Sequence, residues 1–170
     1  MYVDEIIIFT DGSLIKKIDN DGEPVIYCGY GIYFPNKELG NISRPFTRGN
    51  KTNQRAELWA IYVALLIIKK NLRYNIAKIY TDSEYSIKSL TKWIHIWKKN
   101  GWKTSKGKPV ENTDIIIPID SLLEPQRDKI IFIHVKAHTG NQDPISISNN
   151  IVDNLAKRGA TKIIYKDFHR

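Results

Sequence analysis

What most constrains this chain is the order in which its hydrophobic periods change. Ile6 to Thr10 is a β-branched run closing on Asp11-Gly12-Ser13, which reads as a strand followed by a turn. Asn20-Asp21-Gly22 is a second turn signal, and Val25 to Phe34, with Gly29 and Gly31 among aromatics, suits an antiparallel strand. Asn41 to Phe46 pairs as a third, so residues 5–46 are expected to form a meander. The period then switches. Thr52 or Asn53 caps a helix in which Leu58, Ile61, Leu65 and Ile68 recur at helical spacing, ending near Asn71. Ala77 to Thr81 is a fourth strand, closing on Asp82-Ser83. Tyr85 to Trp97 reads as one or two short helices, and Thr113 to Leu123 as a helix kinked or started by Pro118. Ile130 to Val135 is the last strand and Asn149 to Lys157 the last helix. The order β-β-β-α-β-α-α-β-α predicts an α/β fold: a five-stranded mixed sheet, three strands antiparallel then two parallel, flanked by helices.

At 170 residues the chain is expected to be one domain. Its formal charge of +8 favours a polyanionic partner. The single cysteine, Cys28, excludes an internal disulfide and a cysteine-rich zinc site. The start lacks a basic region before an apolar core, and the longest apolar run, Ala60 to Ile68, falls short of a membrane span. The protein is therefore expected to be intracellular, without a membrane partner, and monomeric.

Three carboxylates stand at comparable places. Asp11 ends the first strand, Asp82 ends the fourth, and Glu57 is expected in the first turn of the long helix, where the dipole favours it. Each alone reads as a cap or turn residue. Together, beyond the carboxyl ends of parallel strands, they would repel one another unless a cation held them. Oxygen ligands alone suit magnesium or manganese rather than zinc.

Asp11-Gly12-Ser13, Thr52-Asn53-Gln54-Arg55-Ala56-Glu57-Leu58 and Tyr80-Thr81-Asp82-Ser83 resemble successive motifs of the type 1 ribonucleases H. Trp93 to Thr104 is similar to that family's basic protrusion. His134-Val135-Lys136-Ala137-His138-Thr139-Gly140 resembles its histidine loop, and Asn149 to Ala156 its final aspartate helix. The series runs in order over essentially the whole chain. It implies a ribonuclease H-like fold and an endonuclease that hydrolyses the RNA strand of RNA–DNA hybrids, leaving 3′-hydroxyl and 5′-phosphate ends. By this resemblance Asp11, Glu57, Asp82 and Asp153 hold two magnesium ions (manganese being an alternative), with Asp11 shared between them. Ions ~3.5–4 Å apart would stabilise the attacking and the leaving oxygen of an in-line displacement. His138 would shuttle a proton or aid product release, a task suited to imidazole.

The resemblance also implies a substrate-contact set. Asn53, Gln54 and the backbone around Gly12 and Ser13 match positions that contact the RNA strand, where the 2′-hydroxyl is sensed. Thr52 and Asn112 match a pocket for a DNA phosphate, and Trp93 and Trp97 lie where aromatics line the DNA channel. Lys98, Lys99, Lys103, Lys106 and Lys108 would supply backbone contacts from the protrusion.

The chain also departs from the family pattern. The loop between His138 and Asp153, with Asp143-Pro144 and Ile145-Ser146-Ile147, is longer than usual. Asn150 stands where an acid is common, and Asn50 where the phosphate pocket has an arginine, with Arg48 or Lys51 as candidates to replace it. A separate hybrid-binding domain is not expected. Two alternatives remain: a catalytically silent hybrid-binding module, and another nuclease of the same superfold, such as an integrase or junction resolvase. Retention of all four carboxylates and His138 speaks against the first, and the tryptophan-lysine protrusion against the second.

Overall fold

The first strand outruns its β-branched stretch. In the computed structural model, which describes the backbone of residues 1–168, β1 spans Tyr2–Ile18 and continues through Asp11-Gly12-Ser13. The expected turn does not form there because β2 (Pro24–Tyr33) supplies antiparallel partners, Gly31, Tyr30 and Gly29, for those three residues. The chain reverses only after Ile18, where the Asp19 carboxylate accepts from the backbone N–H groups of Asp21 and Glu23. β3 (Ile42–Pro45) pairs antiparallel with β2. β4 (Arg73–Thr81) and β5 (Ile130–His134) lie parallel beyond β1, giving the order β3-β2-β1-β4-β5. This is the predicted mixed sheet.

One face of the sheet carries the main core. α1 (Asn53–Asn71) is capped by Thr52, whose hydroxyl accepts from the Arg55 N–H at 3.1 Å. Its Leu58, Ile61, Leu65 and Ile68 are fully buried and share a cluster with Ile6, Ile8, Ile32 and Ile79 of the sheet. Each such side chain contributes about 1.5–3 kcal/mol of apolar transfer. α4 (Thr113–Leu123) adds Ile115, Ile116, Ile119 and Leu123, and runs through Pro118 rather than starting at it. Between β4 and α4 the chain forms α2 (Glu84–Lys88), a π-helical turn (Ser89–Trp93) and α3 (Ile94–Lys99). A 3-10 segment (Glu124–Lys129) leads from α4 into β5.

The other face is covered by α5 (Pro144–Phe168). Its backbone lies directly on β2, and the two strand glycines explain how. A β-carbon on Gly29 would sit 2.1 Å from the Ala160 nitrogen, and one on Gly31 2.8 Å from that of Ala156. α5 also starts earlier than expected. Residues 144–148, expected as loop, form its first turn, with the Asp143 carboxylate accepting from the Ser146 N–H at 3.1 Å. Among the described residues no helix is long and apolar enough to cross a membrane.

Candidate active site

Sheet register brings the first two carboxylates together. The parallel pairing of β1 and β4 ends at Phe9 opposite Tyr80; two residues later come Asp11, still on β1, and Asp82, just past the end of β4. Glu57 arrives from α1. It lies in the second turn, not the first as expected, because Thr52 is the cap and Asn53 the first helical residue. Its place depends on contact rather than on the dipole. β1 and α1 meet at Gly12, where a β-carbon would sit 2.5 Å from the Glu57 nitrogen. Only glycine lets the two backbones approach so closely.

Asp11, Glu57 and Asp82 each offer an oxygen, all within 4.8 Å of one another. Asp11 is 2% exposed and Glu57 5%. Burial, then the charges of Asp82 and Asp153, push the Asp11 carboxyl up to about 8. Burial, then Asp11, raises Glu57 well above the usual carboxylate range. Burial also raises Asp82, against the hydrogen bond it accepts from Asn149 at 3.5 Å. Asp11 Oδ2 and Glu57 Oε2 are buried with no hydrogen-bond partner. Orphaned oxygens in a convergent, oxygen-only set fit a hard divalent cation, which would satisfy them and remove the repulsion.

Asp153 of α5 borders the same cleft but stands at its edge. Its carboxylate takes the Lys157 ammonium at 2.9 Å and is 18% exposed. His138 also lines the cleft, a space of about 310 Å³ that it shares with the four acids, Gly12, Ser13 and Asn53. It sits at φ 51° in a loop fixed at both ends. Val135 donates to the Thr81 carbonyl at 2.9 Å, and Thr139 bonds Ser146 of α5 at 3.3 Å. Residues 144–148 thus belong to a helix rather than a loop, and His138 stays at the cleft.

Sequence reading singled out Asn150, which is exposed; its neighbour Asn149 is the one that faces the acids. Asn149 is 3% exposed and four residues before Asp153, on the same helical face. That spacing was the available signal. Arg55 was likewise passed over. It is buried, forks onto Asp114 at 2.7 and 2.8 Å, and reaches the Asn112 side chain at 3.2 Å and the Arg48 carbonyl at 2.9 Å. It thereby joins the Thr52 cap to Asn112. The two candidates to replace the pocket arginine are engaged elsewhere: Arg48 lies over the Trp59 ring, and the Lys51 amine reaches the Ile26 carbonyl. Gln54 is exposed at the helix start, outside the cleft.

Along the protrusion, ring contacts run from Tyr85 to Trp93 (6.1 Å), Trp97 (5.9 Å) and Trp102 (6.5 Å). Trp93 and Trp97 are partly exposed, and Tyr85 and Trp102 extend the row beyond the pair named from sequence. Trp97 and Tyr85 line a groove of about 460 Å³ with Lys106 and Lys108. Lys99, Lys103, Lys106 and Lys108 are exposed, and among the described residues none is in an ion pair. Lys98 is held by Asp120 and Glu124.

The family model described as RNase H matches residues 4–161. The chain is 42% identical over 136 residues to a probable ribonuclease H of Acanthamoeba polyphaga mimivirus, covering 79% of this chain but only 58% of the viral protein. It is 38% identical to ribonuclease HI of Haemophilus influenzae over 163 residues, 96% of this chain and 94% of the bacterial one. Its fold matches the solution structure of the PFV RNase H domain with a TM-score of 0.73 at 30% identity, covering 92% of this chain and 94% of that one. With an acidic cluster at the end of its parallel strands and a family match over almost its whole length, the chain belongs to the ribonuclease H family.

Proposed function

We propose that this protein is an endonuclease that hydrolyses the RNA strand of RNA–DNA hybrids with two magnesium ions, leaving 3′-hydroxyl and 5′-phosphate ends. The observation that carries the reading is the buried triad Asp11, Glu57 and Asp82, with two oxygens unpartnered, at the floor of an open cleft. Asp11, Glu57, Asp82 and Asp153 would hold the ions, Asp11 being shared. Such ions, when bound, activate the attacking water and neutralise charge on the leaving oxygen. Asn149 steadies Asp82 from α5, and Lys157 restrains Asp153. His138, exposed at the rim, carries a proton between the cleft and solvent.

Selection of the RNA strand rests on groups around the same cleft. Asn53 and the backbone of Gly12 and Ser13 border it and meet the 2′-hydroxyl side, with Gln54 beside them at the helix start. Thr52 and Asn112, joined through Arg55, form a polar ledge for a DNA phosphate. The aromatic row and the free lysines of the protrusion supply stacking surface and phosphate contacts along the DNA strand. Every residue named comes from one copy, so a monomer suffices.

The test is incubation of the protein with end-labelled RNA–DNA hybrid, duplex DNA and duplex RNA, with and without magnesium. The reading predicts cleavage of RNA in the hybrid alone, dependent on the metal. Hybrid binding without cleavage would replace it with a binding module, and DNA cleavage with a nuclease of the integrase or resolvase kind.

A further inference from the structure

The protrusion grows from one short helix, and a ring of charges tethers that helix to the body. Lys98, next to last in α3, gives its ammonium to Asp120 of α4 at 2.5 Å and to Glu124 at 3.0 Å. Arg127 binds the same two carboxylates, Glu124 at 2.8 Å and Asp120 more closely. Its remaining terminal nitrogen donates to the Leu90 carbonyl at 3.0 Å. Leu90 lies in the π-helical turn from which α3 springs, a point where helical hydrogen bonding is already irregular. One arginine and one carboxylate thus hold both the root and the tip of α3.

Asp120 is 7% exposed and carries a cation on each oxygen, Arg127 on Oδ1 and Lys98 on Oδ2. Paired charges in such a place add little net stability compared with apolar packing, but they fix direction. The apolar part of the attachment is separate: Ile94 is fully buried, and Trp97 and Trp102 pack on the core. Lys98 is also the one residue of 94–110 in an ion pair among the described residues. Beyond α3, Trp102 donates to the Trp97 carbonyl at 2.7 Å and Val110 to that of Trp102 at 3.0 Å, so the loop moves with the helix. Glu124 is drawn down to about 2 by Arg127 and then Lys98, which keeps the ring charged at neutral pH.

We propose that Asp120 and Arg127 are positioning residues for substrate: their ring with Lys98 and Glu124 sets the angle at which α3 presents the aromatic row and the free lysines to nucleic acid. The inference rests on the reading of the protrusion as a hybrid-binding element. It makes a prediction of unusual sign. Removing an acid from a basic surface should by charge alone strengthen binding to a polyanion. Here it should weaken it.

The experiment is a binding titration and a steady-state assay with an RNA–DNA hybrid on the full chain, comparing wild type with Asp120→Asn and Glu124→Gln. Asp120→Asn should raise Kd and KM roughly five- to thirtyfold, with kcat at saturation within about twofold. Glu124→Gln, at a more exposed site, should shift both in the same direction by about twofold or more, and it remains informative if Asp120→Asn fails to fold. In a Lys98→Met background Asp120→Asn should have a smaller effect than in wild type, because the Lys98 arm of the ring is already lost and only the Arg127 arm remains to be broken. Unchanged or tighter binding in the acid variants would overturn the proposal. A companion variant with Lys99, Lys103, Lys106 and Lys108 all changed to alanine separates the two claims. If it binds hybrid as wild type does, the protrusion reading and the ring proposal both fall. If it loses affinity while the acid variants do not, only the ring proposal falls.

Discussion

Asp11 carries a heavy electrostatic load in the cleft. Its ordinary carboxyl value is 3.8, and burial with Asp82 and Asp153 nearby lifts it to about 8 without metal. The folded state therefore holds this proton more tightly than the unfolded chain does. The stability it contributes is complete below about pH 4 and is lost as pH rises through about 8. We expect the thermal midpoint of the metal-free protein to fall across that window. Magnesium should raise the midpoint more at pH 8 than at pH 6, because binding must displace the proton. Asp11→Asn, lacking the titrating group, should show a flatter pH profile and a higher metal-free midpoint at pH 8. Calorimetry with and without magnesium checks all three, and equal slopes for wild type and variant would remove Asp11 from this role. His138 is a different kind of residue, exposed at the cleft and assigned an auxiliary role by the proposed function. His138→Ala should slow turnover about ten- to a thousandfold without abolishing it, measured at saturating hybrid. An unchanged rate would take the imidazole out of the reaction.

At the scale of elements, the site depends on close approaches that a sequence shows only in part. The mixed sheet, the capped α1 and three of the acids were legible from periodicity and turn signals, and Asp153 only through the resemblance to the ribonuclease H motifs. The length of β1 was not. Asp11-Gly12-Ser13 looks like a turn until β2 is seen to pair with all three residues, a long-range fact. The first turn of α5 was hidden behind Asp143-Pro144, which reads as loop but is a helix start. Asn150 drew attention because the family pattern has an acid there, whereas Asn149, four residues before Asp153, is the one that reaches Asp82. The Gly12 contact gives a test at this scale. Gly12→Ala should force α1 from β1, costing about 1–3 kcal/mol by denaturant unfolding and depressing turnover through Glu57. Near-native stability and turnover would mean that the contact does not position that acid. The protrusion offers another. Alanine at Lys99, Lys103, Lys106 and Lys108 should reduce the slope of log K against log salt by ~2–3. Lys98, engaged by Asp120, is not expected to add a full unit of its own.

Over the whole molecule, the proposed function assigns chemistry and affinity to different charges. The acids gather where two parallel strands, one helix start and one later helix converge, on a protein whose formal charge is +8. Lysines and tryptophans on a separate protrusion would, on the proposed reading, supply polyanion contact. Losing one acid should therefore stop cleavage without releasing substrate. The most direct test pairs a magnesium-supported cleavage assay with a hybrid-binding titration on Asp11→Asn. The account predicts no cut RNA, with hybrid affinity within roughly threefold of wild type. Near-native cleavage by that variant would contradict it.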